Sequence, residues 1–147
     1  MVVKISNAET ADNSVTIKKL RSGTEYTFSV IAFKKVNGKT YKSRQSCKVT
    51  VSTIPKPVVL KVKSDKSRSA EFNWNKTSCD GYEIFKYNEE TGDYELFKRV
   101  KGENISTYER NNLKRRKTYT FKIKSYKYNG KEVLYSSFSE AVTVKVK

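Results

Sequence analysis

Apolar residues recur at every second position of this chain, in short runs separated by turn-forming dipeptides. Val58, Leu60 and Val62 are two apart, as are Phe72 and Trp74, and Tyr82 and Ile84. Tyr119, Phe121 and Ile123 follow the same spacing, and so do Val142, Val144 and Val146. A period of two puts alternate side chains on opposite faces, so each run predicts a strand with one face on a core and one in water. The intervening positions are mostly Lys, Glu, Ser and Thr, as a solvated face requires. No i, i+3, i+4, i+7 pattern lasts for three turns, so no amphipathic helix is predicted. Between the runs lie Asn37-Gly38, Asp80-Gly81, Thr91-Gly92-Asp93 and Asn129-Gly130. Their spacing of roughly 8–12 residues is that of a sandwich or barrel. The Asn-Gly pairs predict hairpins, because both residues tolerate the positive φ of a type I′ turn. The expected fold class is all-β and antiparallel.

The chain also repeats itself. The segment from Leu20 to Phe28, LRSGTEYTF, aligns with Leu113 to Phe121, LKRRKTYTF, at an offset of 93. The match runs on through Val30 and Ile123 to Asn37-Gly38-Lys39 against Asn129-Gly130-Lys131. It reaches Cys47, Val49 and Val51 against Val142, Val144 and Val146, with drift assigned to loops. A period near 90 is too long for a solenoid unit and suits tandem sandwiches. Between the copies, Thr53-Ile54-Pro55-Lys56-Pro57 holds both prolines of the chain. Proline cannot donate to a ladder and favours extended backbone, so residues 54–57 predict a short, semi-rigid linker.

On these residues the second copy resembles a bacterial fibronectin type III domain over nearly its whole length. The carriers are Phe72-Asn73-Trp74 on the second strand, Gly81-Tyr82-Glu83-Ile84 opening the third, and Leu113 with Tyr119 six residues on. The last pair looks like a tyrosine corner, and Leu20 with Tyr26 looks like its counterpart in the first copy. The resemblance implies tandem immunoglobulin-like sandwiches. Residues 1–53 would be a partial domain, 54–57 the linker and 58–147 a complete domain. Trp74, Tyr82, Leu20, Tyr26, Leu113 and Tyr119 are the expected core markers.

The first copy departs from the pattern. Val3 and Ile5 align with the middle of the second copy, near Leu96–Val100, so counterparts of residues 58–87 are missing, Trp74 included. Four strands, near 3–6, 13–18, 24–34 and 41–53, would leave Val15, Ile17, Phe28, Val30 and Cys47 partly uncovered and edges unpaired. Two explanations stay open: a longer tandem array cut within a domain, or strands supplied by another molecule.

Composition then narrows the chemistry. Of 147 residues, 31 are Lys or Arg and 15 Asp or Glu, for a net charge of +16, and none is His. Lacking the commonest general base and metal ligand, and any nucleophile, P-loop or zincin motif, the chain is not expected to be an enzyme or to hold a cofactor or metal. Glu89-Glu90 and Asp93-Glu95 fall at an expected hairpin tip, where they are solvated rather than opposed across a cleft. Cys47 is expected in a core-facing slot and Cys79 in an exposed turn. No run approaches the ~20 apolar residues of a membrane helix.

Residues 1–57 carry 11 basic against 3 acidic residues, and residues 58–147 carry 20 against 12, so each part has a charge of +8. Lys114, Arg115, Arg116 and Lys117 form the one dense basic run, a candidate contact for an anionic polymer. Nucleic acid is the weakest such partner, since no helix or stacking platform accompanies the run. Phe33, Tyr41, Phe85, Tyr87, Tyr126, Tyr128 and Tyr135 have the parity of the outer faces and are candidate surface aromatics. The resemblance implies a non-catalytic spacer or adhesion module of a larger bacterial extracellular or cell-wall protein, its secretion signal expected upstream. The alternatives are a carbohydrate-binding accessory module of a glycoside hydrolase and a basic domain for anionic cell-wall polymers. A protein or polysaccharide partner is expected rather than a small-molecule substrate.

Overall fold

A computed structural model describes residues 10–147, which contain twelve strands and no helix. From residue 58 onward they build two facing antiparallel sheets. One consists of β5 (Leu60–Lys63), β6 (Ala70–Trp74) and β9 (Thr107–Arg110), in the order β5-β6-β9. The other aligns β8 (Tyr94–Lys101), β7 (Gly81–Tyr87) and β10 (Thr118–Tyr128), and β10 also pairs with β11 (Val133–Tyr135) and β12 (Val142–Lys145).

The alternation decides what lies between them. Leu60, Ala70, Phe72 and Trp74 point inward from the first sheet, and Tyr82, Ile84, Val100, Phe121, Ile123 and Val144 from the second. Phe72 meets Phe121 edge-on at 4.8 Å, and Trp74 meets Tyr82 at 5.3 Å. Each of the larger apolar side chains among them contributes about 1.5–3 kcal/mol on burial, which makes this interface the main source of stability in this part. β8 breaks its alternation with a bulge, since Ile84 lies opposite Lys98 while Phe85 lies opposite Leu96. The extra residue turns Phe97 inward against Phe72 and Phe121.

The first repeat is built differently. Among the described residues β1 (Glu25–Phe28) pairs only with β4 (Val49–Ser52), and β2 (Phe33–Val36) only with β3 (Lys39–Lys42). The β2–β3 hairpin turns on Asn37 at φ 50° and Gly38 at φ 76°, the type I′ conformation expected of that dipeptide. The continuous strands expected over 24–34 and 41–53 are each split in two, and 13–18 forms no strand. The strand expected near 3–6 lies outside the described residues.

The second repeat supplies the physical reason. β10 pairs with β7 through Lys122–Ser125, the stretch matching the break at 29–32, and β9, matching residues 14–17, pairs with β6. Among the described residues the first repeat has no counterpart of β6 or β7.

Hydrogen bonds hold the offset of 93 more firmly than the sequence alignment did. Val30 N–H bonds Ser46 Oγ and Ile123 N–H bonds Ser139 Oγ; Ala32 pairs with Ser43 as Ser125 does with Ser136. Thr27 and Thr50 share a hydroxyl bond of 3.0 Å, and so do Thr120 and Thr143. Val49 and Val51 therefore match Val142 and Val144, and Cys47 matches Glu140. This corrects the drifting alignment at the last strand. Cys47 is exposed, like Glu140, rather than core-facing.

Candidate interaction surfaces

The two tyrosine corners are built alike. Arg21 N–H donates to the Tyr26 hydroxyl at 2.7 Å, and Lys114 N–H donates to the Tyr119 hydroxyl at 3.2 Å. Each bond satisfies a loop amide that would otherwise lack a partner inside the turn. Tyr26 and Leu113 are buried, whereas Leu20 and Tyr119 are half-buried. Tyr82 is buried at the opposite end, accepting from Thr77 N–H at 3.2 Å and donating to the Glu103 carbonyl at 3.0 Å. Burial, then a hydrogen bond with Cys79, pushes its hydroxyl up to about 12. Cys79 is itself buried rather than exposed as expected, and burial pushes its thiol up. Trp74 is buried, with its Nε1 unpartnered.

A contact joins the repeats. Gly23 is buried with φ 60°, and a Cβ there would run into the backbone carbonyl of Ser78. Ser78 Oγ donates to the Gly23 carbonyl at 3.0 Å. Pro55 is fully buried, Gly23 N–H bonds the Ile54 carbonyl at 2.9 Å, and Ser125 Oγ bonds the Lys56 carbonyl at 2.7 Å. Residues 54–56 are thus tied to both repeats.

The outer face of the β8-β7-β10 sheet gathers several of the candidate aromatics. Phe85 is half-buried against Phe138, at 5.0 Å and edge-on. Tyr87 is 38% exposed and tilts against Tyr94 at 5.3 Å. Tyr135 is half-buried, and Tyr128 is exposed with its hydroxyl folded back on the Gly130 carbonyl.

Tyr126 corrects its surface assignment, being only 9% exposed. Its ring lies over Gly81, where a Cβ would strike both the Tyr126 hydroxyl and the Val100 carbonyl, and Arg99 and Tyr135 cover the rest. Phe33 and Tyr41 are exposed on the separate β2–β3 ribbon, beneath Lys35 and Lys39.

At the centre of the outer face stands Glu83, a residue that sequence reasoning did not single out. It is 2% exposed and faces solvent-side parity, yet Arg99 Nε donates to its Oε1 at 2.7 Å and Lys124 Nζ lies 3.6 Å from its Oε2. The register sets Glu83 opposite both Arg99 and Lys124, so two cations compensate one buried carboxylate. Lys124 Nζ also sits 3.7 Å from the Tyr135 ring centre and 4.8 Å from that of Phe85. Lys122 covers Tyr94 at 4.5 Å. These ring faces are therefore occupied by ammonium groups of the chain itself.

The basic run lies at the other corner. Lys114, Arg115, Arg116 and Lys117 are all exposed; Lys117 lies 3.9 Å from Glu89 and over the Tyr119 ring. No group of three His, Cys, Asp or Glu residues that could hold a metal occurs among the described residues. No helix among them is long and apolar enough to cross a membrane.

Two facing antiparallel sheets with a tyrosine corner make an immunoglobulin-like sandwich, the architecture that fibronectin type III domains share. Solved structures share it. A two-domain fibronectin type III segment of chicken tenascin superposes with a TM-score of 0.61 at 22% identity, over 84% of this chain and 66% of that one. The FN1–FN3 domains of chicken CNTN1 give 0.52 at 17% identity, over 87% of this chain and 42% of that one. A β-1,2-glucanase from Parabacteroides distasonis gives 0.53 at 15% identity, over 75% of this chain and 16% of that enzyme. No protein-family profile and no curated protein matches the chain.

Proposed function

We propose that the chain is a non-catalytic part of a larger extracellular bacterial protein, in which a partial domain over residues 1–53 and a complete one over 58–147 are held at a fixed spacing and angle. The observation that carries this reading is the joint at Gly23. Its glycine lies against the Ser78 backbone, and the buried Pro55 leaves the linker no slack. A flexible tether needs neither feature; a stiff spacer needs both. Lysines along the outer strands keep such a module from pairing edge to edge with its neighbours.

Small-angle scattering on the chain and on Gly23→Arg tests the reading. The parent should scatter as one rigid particle and the variant as two bodies in varied orientation. Identical curves for an unlocked parent and the variant would overturn it. Fractionating producing cells with an antibody to residues 58–147 tests the extracellular location, and recovery only from the cytoplasm would reverse it.

The carbohydrate-binding reading is less well supported, because the ring faces of Tyr94, Phe85 and Tyr135 are already capped by Lys122 and Lys124, which leaves only Tyr87 and Tyr128 of the outer sheet open. Sugar stacking needs those faces open.

A further inference from the structure

The two corners share a backbone and differ in what stands at one position of it. Gly23 at φ 60° and Arg116 at φ 62° are equivalent, as are Lys19 at φ 61° and Asn112 at φ 63°. Thr53 N–H bonds the Thr24 carbonyl, and Val146 N–H bonds the Lys117 carbonyl, each at 3.0 Å and again 93 residues apart. The first corner can seat a neighbouring sandwich because Gly23 has no Cβ to meet the Ser78 carbonyl. An arginine at that position puts a Cβ, and a long cationic side chain, where the neighbour's backbone would lie. A joint of the kind made at Gly23 cannot form at Arg116.

The second corner is also fixed by three hydrogen bonds to two further segments. Arg68 N–H bonds the Lys147 carbonyl at 2.8 Å, Leu113 N–H bonds the Arg68 carbonyl at 3.0 Å, and Arg116 N–H bonds the Val146 carbonyl at 2.8 Å. This ties Arg68, Lys114, Arg115, Arg116 and Lys147 to one pole of the sandwich, all of them exposed and none ion-paired among the described residues. Of the nearby acids, Glu109 pairs with Lys66, and Asp65 pairs with Lys63 while also feeling the charge of Lys147. Arg68 and Arg116 both hold left-handed backbone, a conformation that costs a non-glycine residue about 1 kcal/mol. Two arginines are thus anchored at strained positions where solvation alone would not require arginine.

We propose that this pole binds a linear anionic glycopolymer. Guanidinium groups match carboxylate and phosphate oxygens in pairs, and a flexible chain can follow a convex set of loops. Duplex nucleic acid fits poorly, because the loops carry no element to enter a groove, and the one aromatic ring there, Tyr119, is half-buried under Lys117. The proposal does not depend on the spacer reading, since it concerns a corner that takes no part in the Gly23 joint.

The test is binding of the full chain to immobilised polygalacturonate and to poly(glycerol phosphate), with duplex DNA at equal anion concentration as the competitor class. Five charge contacts should lower affinity roughly 100-fold between 50 and 200 mM salt, by analogy with a single-stranded polyelectrolyte. The variant K114S/R115S/R116G should weaken binding at least tenfold, its glycine keeping the left-handed backbone. A control of equal charge change, K34S/K35S/K39S on the β2–β3 ribbon, should alter it less than twofold. Whichever polymer is preferred assigns the anion as carboxylate or phosphate. Equal losses from both variants, no binding to either polymer at 50 mM salt, or tighter binding to the duplex would each overturn the proposal. Should the triple variant fold poorly, K114S/R115S touches neither strained arginine and keeps the test decisive.

Discussion

The two repeats share their corner and cross-strand side-chain hydrogen bonds but differ in how their strands are buried. Phe121, Ile123 and Val144 are buried, yet their equivalents Phe28, Val30 and Val51 are half-buried, 71% exposed and 44% exposed. The corner, the Ser-to-amide bonds and the Thr–Thr pair survive in the first repeat without the facing sheet. Turn chemistry and adjacent pairing are thus local properties of the sequence. Burial is not local, because it needs the partner strands β5, β6 and β7, which the first repeat lacks among the described residues.

That contrast can be broken most directly at the paired phenylalanines. Phe121→Ala is expected to cost about 3–5 kcal/mol, the range for deleting a large buried ring, and Phe28→Ala about 1 kcal/mol or less. Urea titrations followed by tryptophan fluorescence and circular dichroism measure both. Equal losses would mean that the first repeat possesses a cover of its own.

A smaller effect separates the corners by sign. Gly23→Ala should destabilise by at least about 1 kcal/mol, from its left-handed φ alone, with the Ser78 contact adding to it. Arg116→Gly at the same conformation should instead gain up to about 1 kcal/mol. Melting temperatures that fall in both would remove the steric asymmetry on which the two corners differ.

The corner tyrosines should show no such asymmetry. Tyr26→Phe and Tyr119→Phe each delete one hydroxyl contact to a backbone amide and should each cost about 1 kcal/mol. Values differing by more than twofold would tie the corner bond to burial after all.

The smallest effect is with pH and belongs only to the complete sandwich. The Tyr82 hydroxyl is pushed up to about 12 by burial, from an ordinary 10.0. A phenol that keeps its proton longer when folded contributes fully well below pH 10 and loses that contribution as pH rises from 10 to 12. By pH 10 that loss has begun and stays below about 1 kcal/mol. Stability measured from pH 8 to 10 should therefore fall less steeply in Tyr82→Phe than in the parent, and equal slopes would assign the pH dependence elsewhere.

Much of this was legible in the residues. The alternation at Phe72, Trp74, Tyr82, Ile84, Phe121 and Ile123 named the core, and Asn37-Gly38 named its hairpin. Both corners could be read from Leu and Tyr six residues apart. Tyr126 was misplaced because period two assigns a face and not its coverage, and Cys79 because a turn position was taken as exposed. Only the register brings Arg99 over Tyr126 and its ring over Gly81. Cys47 was misplaced by a two-residue slip in alignment, which hydrogen bonding at Thr50 and Thr143 removes.

What the sequence determined by itself is the set of short-range choices: where the turns fall, the face each side chain takes within a strand, and the two tyrosine corners. Those follow from backbone sterics and from contacts within a few residues. The tertiary structure alone decided which of those faces meets a partner. It paired Glu83 with Arg99 and Lys124 across three strands, and it gave the Gly23 corner a neighbour while leaving the Arg116 corner open. Such pairings join residues 16 to 55 positions apart, and no local pattern specifies them. Hence +16, divided equally between residues 1–57 and 58–147, becomes in three dimensions a compensated sheet face, with Lys114, Arg115 and Arg116 of the second corner and the β2–β3 lysines left without ion pairs among the described residues.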